Sequence, residues 1–413
     1  MPDPRKISIE DYAYELPADK IALRPLEKRD ASRLLVYNNG IILDSYYKDI
    51  AANIPPQSLL IFNNSKVINA RIKFQKPTGG IIEIFCLEPF DGNEYNIIMN
   101  QTGSSTWKCL VGGAGKWKTG ILTKQLKINN ANLTISVEVV SRMTDSYIVQ
   151  FRWNPPQFSF ADVIEAAGEV PLPPYIKRER EISDSSRYQT IYALNEGSVA
   201  APTAGLHFTE DIFDQLASRG IAKEYVTLHI GAGTFKPVKA ETMQEHEMHA
   251  EWIDVSLQTI KHIRDHDGMI IAVGTTSLRT IETLYWIGVK IILDPSIEFL
   301  ALKQWDIYEP PMQSNNVDVK DSFDRLISWM EIKKLSRLFL RTQLLIIPGY
   351  KFKVAEALIT NFHQPRSTLL LLVAAAIGKD WEKIYEHALM HEYRFLSYGD
   401  GNLIFLPAGN YEM

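Results

Sequence analysis

Two histidine-bearing segments, PTAGLHF at Pro202–Phe208 and VTLHIGAGTF at Val226–Phe235, hold the residues best suited to chemistry. Each sets an imidazole, His207 or His229, among glycine, hydroxyl and apolar neighbours. The unperturbed imidazole pKa lies nearer neutrality than that of other side chains, so such a group can take or give a proton. Gly205, Gly231 and Gly233 would let backbone approach a ligand closely, and Thr203 and Thr234 add hydroxyls. The competing explanation for either histidine alone is a hydrogen-bonded core residue. Two of them at strand-to-loop junctions point to two loops facing one pocket.

Other segments add polar groups of the same kind. In ITNFHQPRST (Ile359–Thr368), Asn361 and His363 stand where a strand ends, ahead of an apolar helix capped by Ser367. In AVGTTSLRTIE (Ala272–Glu282), Thr275, Thr276 and Ser277 sit where a strand turns into a helix. Ordinary capping needs one hydroxyl; three in succession, with free N–H groups, can hold a carboxylate or a ribose oxygen. Arg279 is expected either to fork onto such a carboxylate or to pair with Glu282.

Two tempting motifs fail on spacing. HEMHAEW (His246–Trp252) would need a second histidine at position 250 to be a zinc-protease helix, and that residue is Ala250. His246 and His249 could share a helix face, but no third ligand is evident, so no metal is expected and His249 is read as a substrate contact. Gly231-Ala232-Gly233 runs into Thr-Phe-Lys instead of a helix, so no dinucleotide fingerprint is met.

The elements that must position these groups fall into two textures. RLLVYN and LLIFNN read as early strands. From about 62 to 153 short β-rich runs alternate with turns and no helical period intervenes, which predicts a small all-β barrel or sandwich. From 154 onward helices alternate with strands, which predicts α/β layers. The expected architecture is a layered α/β catalytic domain, 1–61 and 154–413, interrupted by an inserted all-β, barrel-like domain at 62–153. Within it TTSLRTIETLYWIG reads as a helix closed by Gly288. Residues 289–341 read as a further insertion, with Lys333, Lys334, Arg337 and Arg341 on a solvated helix face or, alternatively, at an RNA or partner contact. Tyr393, Phe395 and Tyr398 alternate as in a strand.

The chain has 413 residues, 46% of them hydrophobic, enough for more than one core. A net charge of −5 argues against a general nucleic-acid coat while allowing a local basic patch. The two cysteines, Cys86 and Cys109, are expected to be free thiols in a reducing cytoplasm. MPDPRKISIEDYAYELP has no apolar core of a signal peptide, and TLLLLVAAAIG is too short to span a bilayer, so no membrane association is expected.

Taken together, the chain resembles the S-adenosylmethionine:tRNA ribosyltransferase-isomerases of queuosine biosynthesis. The matching segments include ELPADKIALRP, LLIFNNSKVINARI, GEVPLPPYI, GSVAAPTAGLHFT, VTLHIGAGTFKPV, HEMHAEW, IAVGTTSLRTIE, IPGYKFKVAEALITNFHQPRSTLLLLV and YRFLSYGD. The resemblance implies an α/β domain interrupted by a β-barrel. It implies transfer and isomerisation of the ribosyl moiety of S-adenosylmethionine onto 7-aminomethyl-7-deazaguanine at the wobble position of tRNA, giving epoxyqueuosine-tRNA, adenine and methionine. S-adenosylmethionine is then a co-substrate, with no other cofactor, and a monomer is expected. His207 or His229 would remove the C5′ proton, and the other, or His363, would serve the departing adenine. Arg71, Lys177, Arg178 and Arg180 are the expected tRNA contacts, each with the alternative of a solvated charge. A methyltransferase would need a glycine-rich loop after its first strand, where this chain has FNNSKV. A non-catalytic tRNA-binding module would not need the His, Gly and Thr segments.

Overall fold

The computed structural model describes residues 3–90, 95–117, 119–128, 130–231 and 240–407. Among these, most strands fall into a ten-stranded and a six-stranded sheet. The centre of the larger sheet is four parallel strands, in the spatial order Ala222–His229, Leu59–Asn63, Ile270–Val273 and Ala357–Asn361. The chain adds its second strand on one side of the first and its third on the other. That reversal opens a crevice at the carboxyl ends of Leu59–Asn63 and Ile270–Val273.

These strands are continuous apolar runs because both faces are covered. Leu59 and Ile61 pack into one core while Leu60 and Phe62 pack into the other. Ile270 and Ala272 divide from Ile271 and Val273 in the same way. The helix Thr275–Leu293 covers the first face, and Glu210–Ser218, capped by the Thr209 hydroxyl, covers the second. Gly401–Phe405 lies antiparallel beside Ala357–Asn361 and carries Arg33–Asn38 and Ile41–Tyr46 outward to one edge.

The six-stranded sheet is antiparallel throughout, running from Arg71–Gln75 to Tyr147–Asn154 in sequence. Its edge strands Arg71–Gln75 and Leu122–Ile128 lie against each other, giving a nearly closed, barrel-like form. Alternate residues point inward, among them Phe74, Ile84, Trp107, Ile135 and Phe151. Cys86 and Cys109 are cross-strand partners in this core, both buried and unbridged. The helix Phe160–Ala167 closes it, held by a capping box between Ser159 and Asp162.

Several elements differ from the sequence expectation. The helix opened by Thr275 runs through Gly288 to Leu293. Gly288 is needed there because a Cβ would stand 2.1 Å from the Ser322 carbonyl oxygen of the crossing helix Val319–Ile332. Region 289–341 thus supplies a covering helix and a sheet strand. Lys333 and Lys334 lie past the helix end, and Arg337–Thr342 is a strand antiparallel to Glu251–Ser256. Lys334 at φ 57° breaks the helical path. The stretch Tyr393–Tyr398 is no strand, since Leu396 turns it at φ 70°. His246 and His249 lie in irregular chain ahead of Glu251–Ser256, so they share no helix face.

Candidate active site

The crevice at the carboxyl ends of the parallel strands opens into a cleft with about 780 Å³ of empty space, part of it open to solvent. Each strand end contributes differently.

Leu59–Asn63 ends in a buried amide. The Asn63 Nδ2 donates to the Leu228 carbonyl at 3.0 Å and to the Thr276 hydroxyl at 3.3 Å. Its Oδ1 accepts from the Ser65 and Leu228 N–H groups, both at 3.1 Å. One side chain therefore ties three segments together at the switch point. Sequence reading passed over Asn63; the signal was a polar pair closing the apolar run LLIF.

Ile270–Val273 passes through Gly274, at φ 90°, directly into its helix. No side chain caps that helix, so its first N–H groups and the positive end of its dipole face the cleft beside Thr275 and Thr276. This arrangement suits an anionic group. Ser277 does not share it: the hydroxyl is fully buried and donates to the Val273 carbonyl at 2.8 Å. Arg279 is also turned away. It forms a buried ion pair with Glu251 and donates to the Leu344 carbonyl at 3.0 Å, so it meets neither Glu282 nor the cleft. Glu282 instead accepts from Tyr350 and from the Lys353, Val354 and Ala355 N–H groups.

Ala357–Asn361 brings the third set. The Asn361 Oδ1 accepts the Thr203 hydroxyl at 2.7 Å, and its Nδ2 faces the His207 Nε2 at 3.5 Å. Thr203, Asn361 and His363 line the cleft. His363 Nε2 lies 2.8 Å from the Thr360 hydroxyl, its N–H donates to Tyr385, and its carbonyl accepts from Tyr14. The imidazole is thereby held in a fixed turn at the cleft wall.

The other two histidines flank the cleft. His207 is buried behind Asn361 and stacks on Tyr47 with ring centroids 4.3 Å apart. His229 ends its strand and stacks on Tyr95 at 4.3 Å, toward the six-stranded sheet; its Nδ1 is buried without a partner. Burial lowers all three, His207 and His363 to about 3 and His229 to about 4. They are neutral near pH 7, and the same burial makes each a weaker base than a free imidazole.

The remaining expected residues are scattered. Gly205 is a packing position, since a Cβ there would stand 1.8 Å from the Tyr192 hydroxyl. Gly231 has open space around it, and Gly233 and Thr234 lie outside the described residues. His249 is exposed and does not line the cleft. Arg178 is spent on a two-pronged ion pair with the buried Asp184 and on the Leu23 carbonyl. Arg71 faces Glu83 at 3.5 Å and lies over the Phe85 ring. Lys177 and Arg180 are exposed. Tyr175 and Ser397, which sequence reading did not single out, also line the cleft. Among the described residues no group of three or more His, Cys, Asp or Glu side chains is placed to hold a metal ion.

The arrangement is that of a doubly wound α/β protein whose cleft, largely apolar with a few polar groups, lies at its switch point. A family model described as queuosine biosynthesis protein matches residues 9–404. A protein of Polynucleobacter necessarius subsp. necessarius (strain STIR1), named S-adenosylmethionine:tRNA ribosyltransferase-isomerase, is 38% identical over 403 residues, 95% of this chain and 97% of that one. A protein of the same name from Azoarcus sp. (strain BH72) is 35% identical over 402 residues, 96% and 97% of the two chains. A crystal structure of an S-adenosylmethionine tRNA ribosyltransferase from Thermotoga maritima is 28% identical, with a TM-score of 0.45, and the match covers 96% of this chain and all of that one. The chain belongs to the queuosine biosynthesis protein family.

Proposed function

We propose that the protein is an S-adenosylmethionine:tRNA ribosyltransferase-isomerase acting in queuosine biosynthesis. Its relatives of that name match it nearly end to end. The observation that carries the site assignment is the meeting of an uncapped helix start, the Thr203–Asn361 pair and the neutral His363 imidazole in one cleft. S-adenosylmethionine enters as co-substrate, with no other cofactor. The helix start at Thr275 and Thr276 takes an oxyanion or ribose oxygens of the co-substrate.

The sulfonium acidifies the adjacent C5′ protons of the ribose, so a neutral imidazole at the cleft wall can remove one. We assign this step to His363, because among the three buried histidines it is the one that lines the cleft. This revises the sequence expectation, which gave the C5′ proton to His207 or His229. His207 lies behind Asn361 and orients its amide. The proton carried by His363 is then available to the adenine as it departs; the amine of the modified base forms the new C–N bond, and cleavage of the C5′–S bond releases methionine with the sulfonium's electron pair. Lys177 and Arg180 remain exposed charges for tRNA, whereas Arg178 is a structural residue.

We further propose that the β-rich region expected at 62–153 forms a separate domain, with its start moved to the strand Arg71–Gln75 because Phe62 and Asn63 belong to the large sheet, and that the protein works as a cytoplasmic monomer. No helix among the described residues is long and apolar enough to cross a membrane.

The test incubates the protein with S-adenosylmethionine and tRNA bearing the aminomethyl-deazaguanine. Adenine and methionine release, with the epoxyqueuosine mass in the tRNA, is the expected result. S-adenosylhomocysteine would identify a methyltransferase instead. Salt-sensitive binding without turnover would identify a binding module.

A further inference from the structure

A second, narrower cavity adjoins the cleft, with about 240 Å³ of empty space. Ser397 lines both cavities, and His207 lines the second while facing Asn361 of the first. Two arginines, Arg29 and Arg187, also line the second. Their hydrogen-bond partners among the described residues are backbone carbonyls. Arg29 donates to Leu206 at 3.0 Å and to Ser186 at 2.8 Å; Arg187 donates to Glu27 at 3.0 Å and to Leu26. Among the described residues neither forms an ion pair with a carboxylate, and the Arg187 Nε is buried with no partner. Three acids of the neighbouring segments are engaged elsewhere: Asp184 with Arg178, Glu181 with Arg24, and Asp400 with Arg394. Like charges held side by side are costly, and burial together with Arg187 lowers the Arg29 guanidinium from its ordinary value. In a chain of net charge −5 such an uncompensated pair is unusual and calls for an anion. Each guanidinium has five N–H donors, so spare donors remain on both.

We propose that Arg29 and Arg187 form a phosphate-binding site for the nucleic-acid backbone flanking the nucleotide that reacts in the cleft. The proposal rests on the reading of tRNA as substrate. The two cavities then divide the reactants: S-adenosylmethionine occupies the first, the backbone of the acceptor strand grips the mouth of the second, and His207 with Asn361 forms the wall between them. The pair fixes the register of the strand and carries no sequence information.

The test uses Arg29→Gln and Arg187→Gln in the full-length protein. Each is expected to raise the tRNA KM about tenfold and to lower the salt slope of tRNA binding by about one. KM for S-adenosylmethionine should stay at the wild-type value. An unchanged tRNA KM and salt slope would overturn the site. A rise in KM for S-adenosylmethionine alone would overturn it too, giving the pair to the methionine carboxylate. Because both arginines brace backbone carbonyls, a second measurement uses the wild-type protein with anticodon stem-loops carrying a single neutral methylphosphonate linkage. One linkage beside the wobble nucleotide should weaken binding about tenfold; no effect at any flanking linkage rejects the proposal. Wild-type protein that neither binds nor modifies tRNA refutes the functional reading itself, a result distinct from either.

Discussion

The parallel centre of the large sheet and the six-stranded barrel-like sheet are built from similar apolar residues, yet they differ at their strand ends. In the large sheet, strands finish in buried polar groups that bond to one another: Asn63 to Thr276, Asn361 to Thr203, His363 to Thr360. In the smaller sheet the inward residues are apolar along the strands apart from Ser105, and charged side chains pair on its outside, as Arg152 does with Glu138. Burying a polar group without a partner is costly, so a cluster of mutually satisfied ones is maintained only where something is gained from it. The first region is organised for chemistry and the second for shape.

Four experiments would break or sharpen that contrast. The largest effect is expected from His363→Ala, which should lower kcat by about 10²–10⁴ with the fold retained, measured as adenine release. Unchanged turnover would remove His363 from the proton path and return it to His207 or His229.

Acid should act on the carboxyl ends of the large sheet's central strands before the barrel. His207, His229 and His363 all have folded values well below the ordinary 6.5. The unfolded chain then binds more protons than the folded one, so stability is complete above about pH 6.5 and falls as pH drops toward the folded values. Three such groups together remove about 4 kcal/mol per pH unit in that window. No histidine lies between 71 and 154, so this loss is absent there. Urea unfolding at pH 7 and pH 5.5 measures it, and equal stability at both would contradict the buried neutral state.

Phe151→Ala, in the barrel core, should cost about 3–5 kcal/mol of stability while kcat per folded molecule holds. A parallel fall in kcat would show that the barrel takes part in turnover. Smallest is Gly197→Ala at the seam between the regions. Gly197 has φ 130°, and a Cβ would stand 2.4 Å from the Tyr95 ring and 2.8 Å from the His229 Nδ1. Pushing that stack apart should cost about 1–3 kcal/mol, read by thermal melting.

Much of this was legible in residue patterns. The period-two barrel strands, the Thr209 cap and the apolar central strands follow from local rules, as does the hydroxyl-rich start at Thr275. What escaped was tertiary partnership. Arg279 faces Glu251 across the fold, not Glu282 one turn away. Arg178 answers a buried Asp184, and no motif signals that its charge is spent. Thr203 and Asn361 were each visible, but their contact across the fold was not. Tyr393–Tyr398 alternated like a strand until a positive φ at a leucine bent it, a conformation that leucine rarely adopts.

The large sheet pairs residues far apart in the chain: Arg33–Asn38 lies beside Gly401–Phe405, and Leu59–Asn63 beside Ala222–His229. Such pairings form slowly, because long stretches must be closed before they are rewarded. The consequence is temporal. As the polypeptide emerges from the ribosome, the barrel strands can pair with near neighbours early, while the cleft waits for Asn361 and His363, far later in the chain. A truncated nascent chain would carry a folded barrel and no active site.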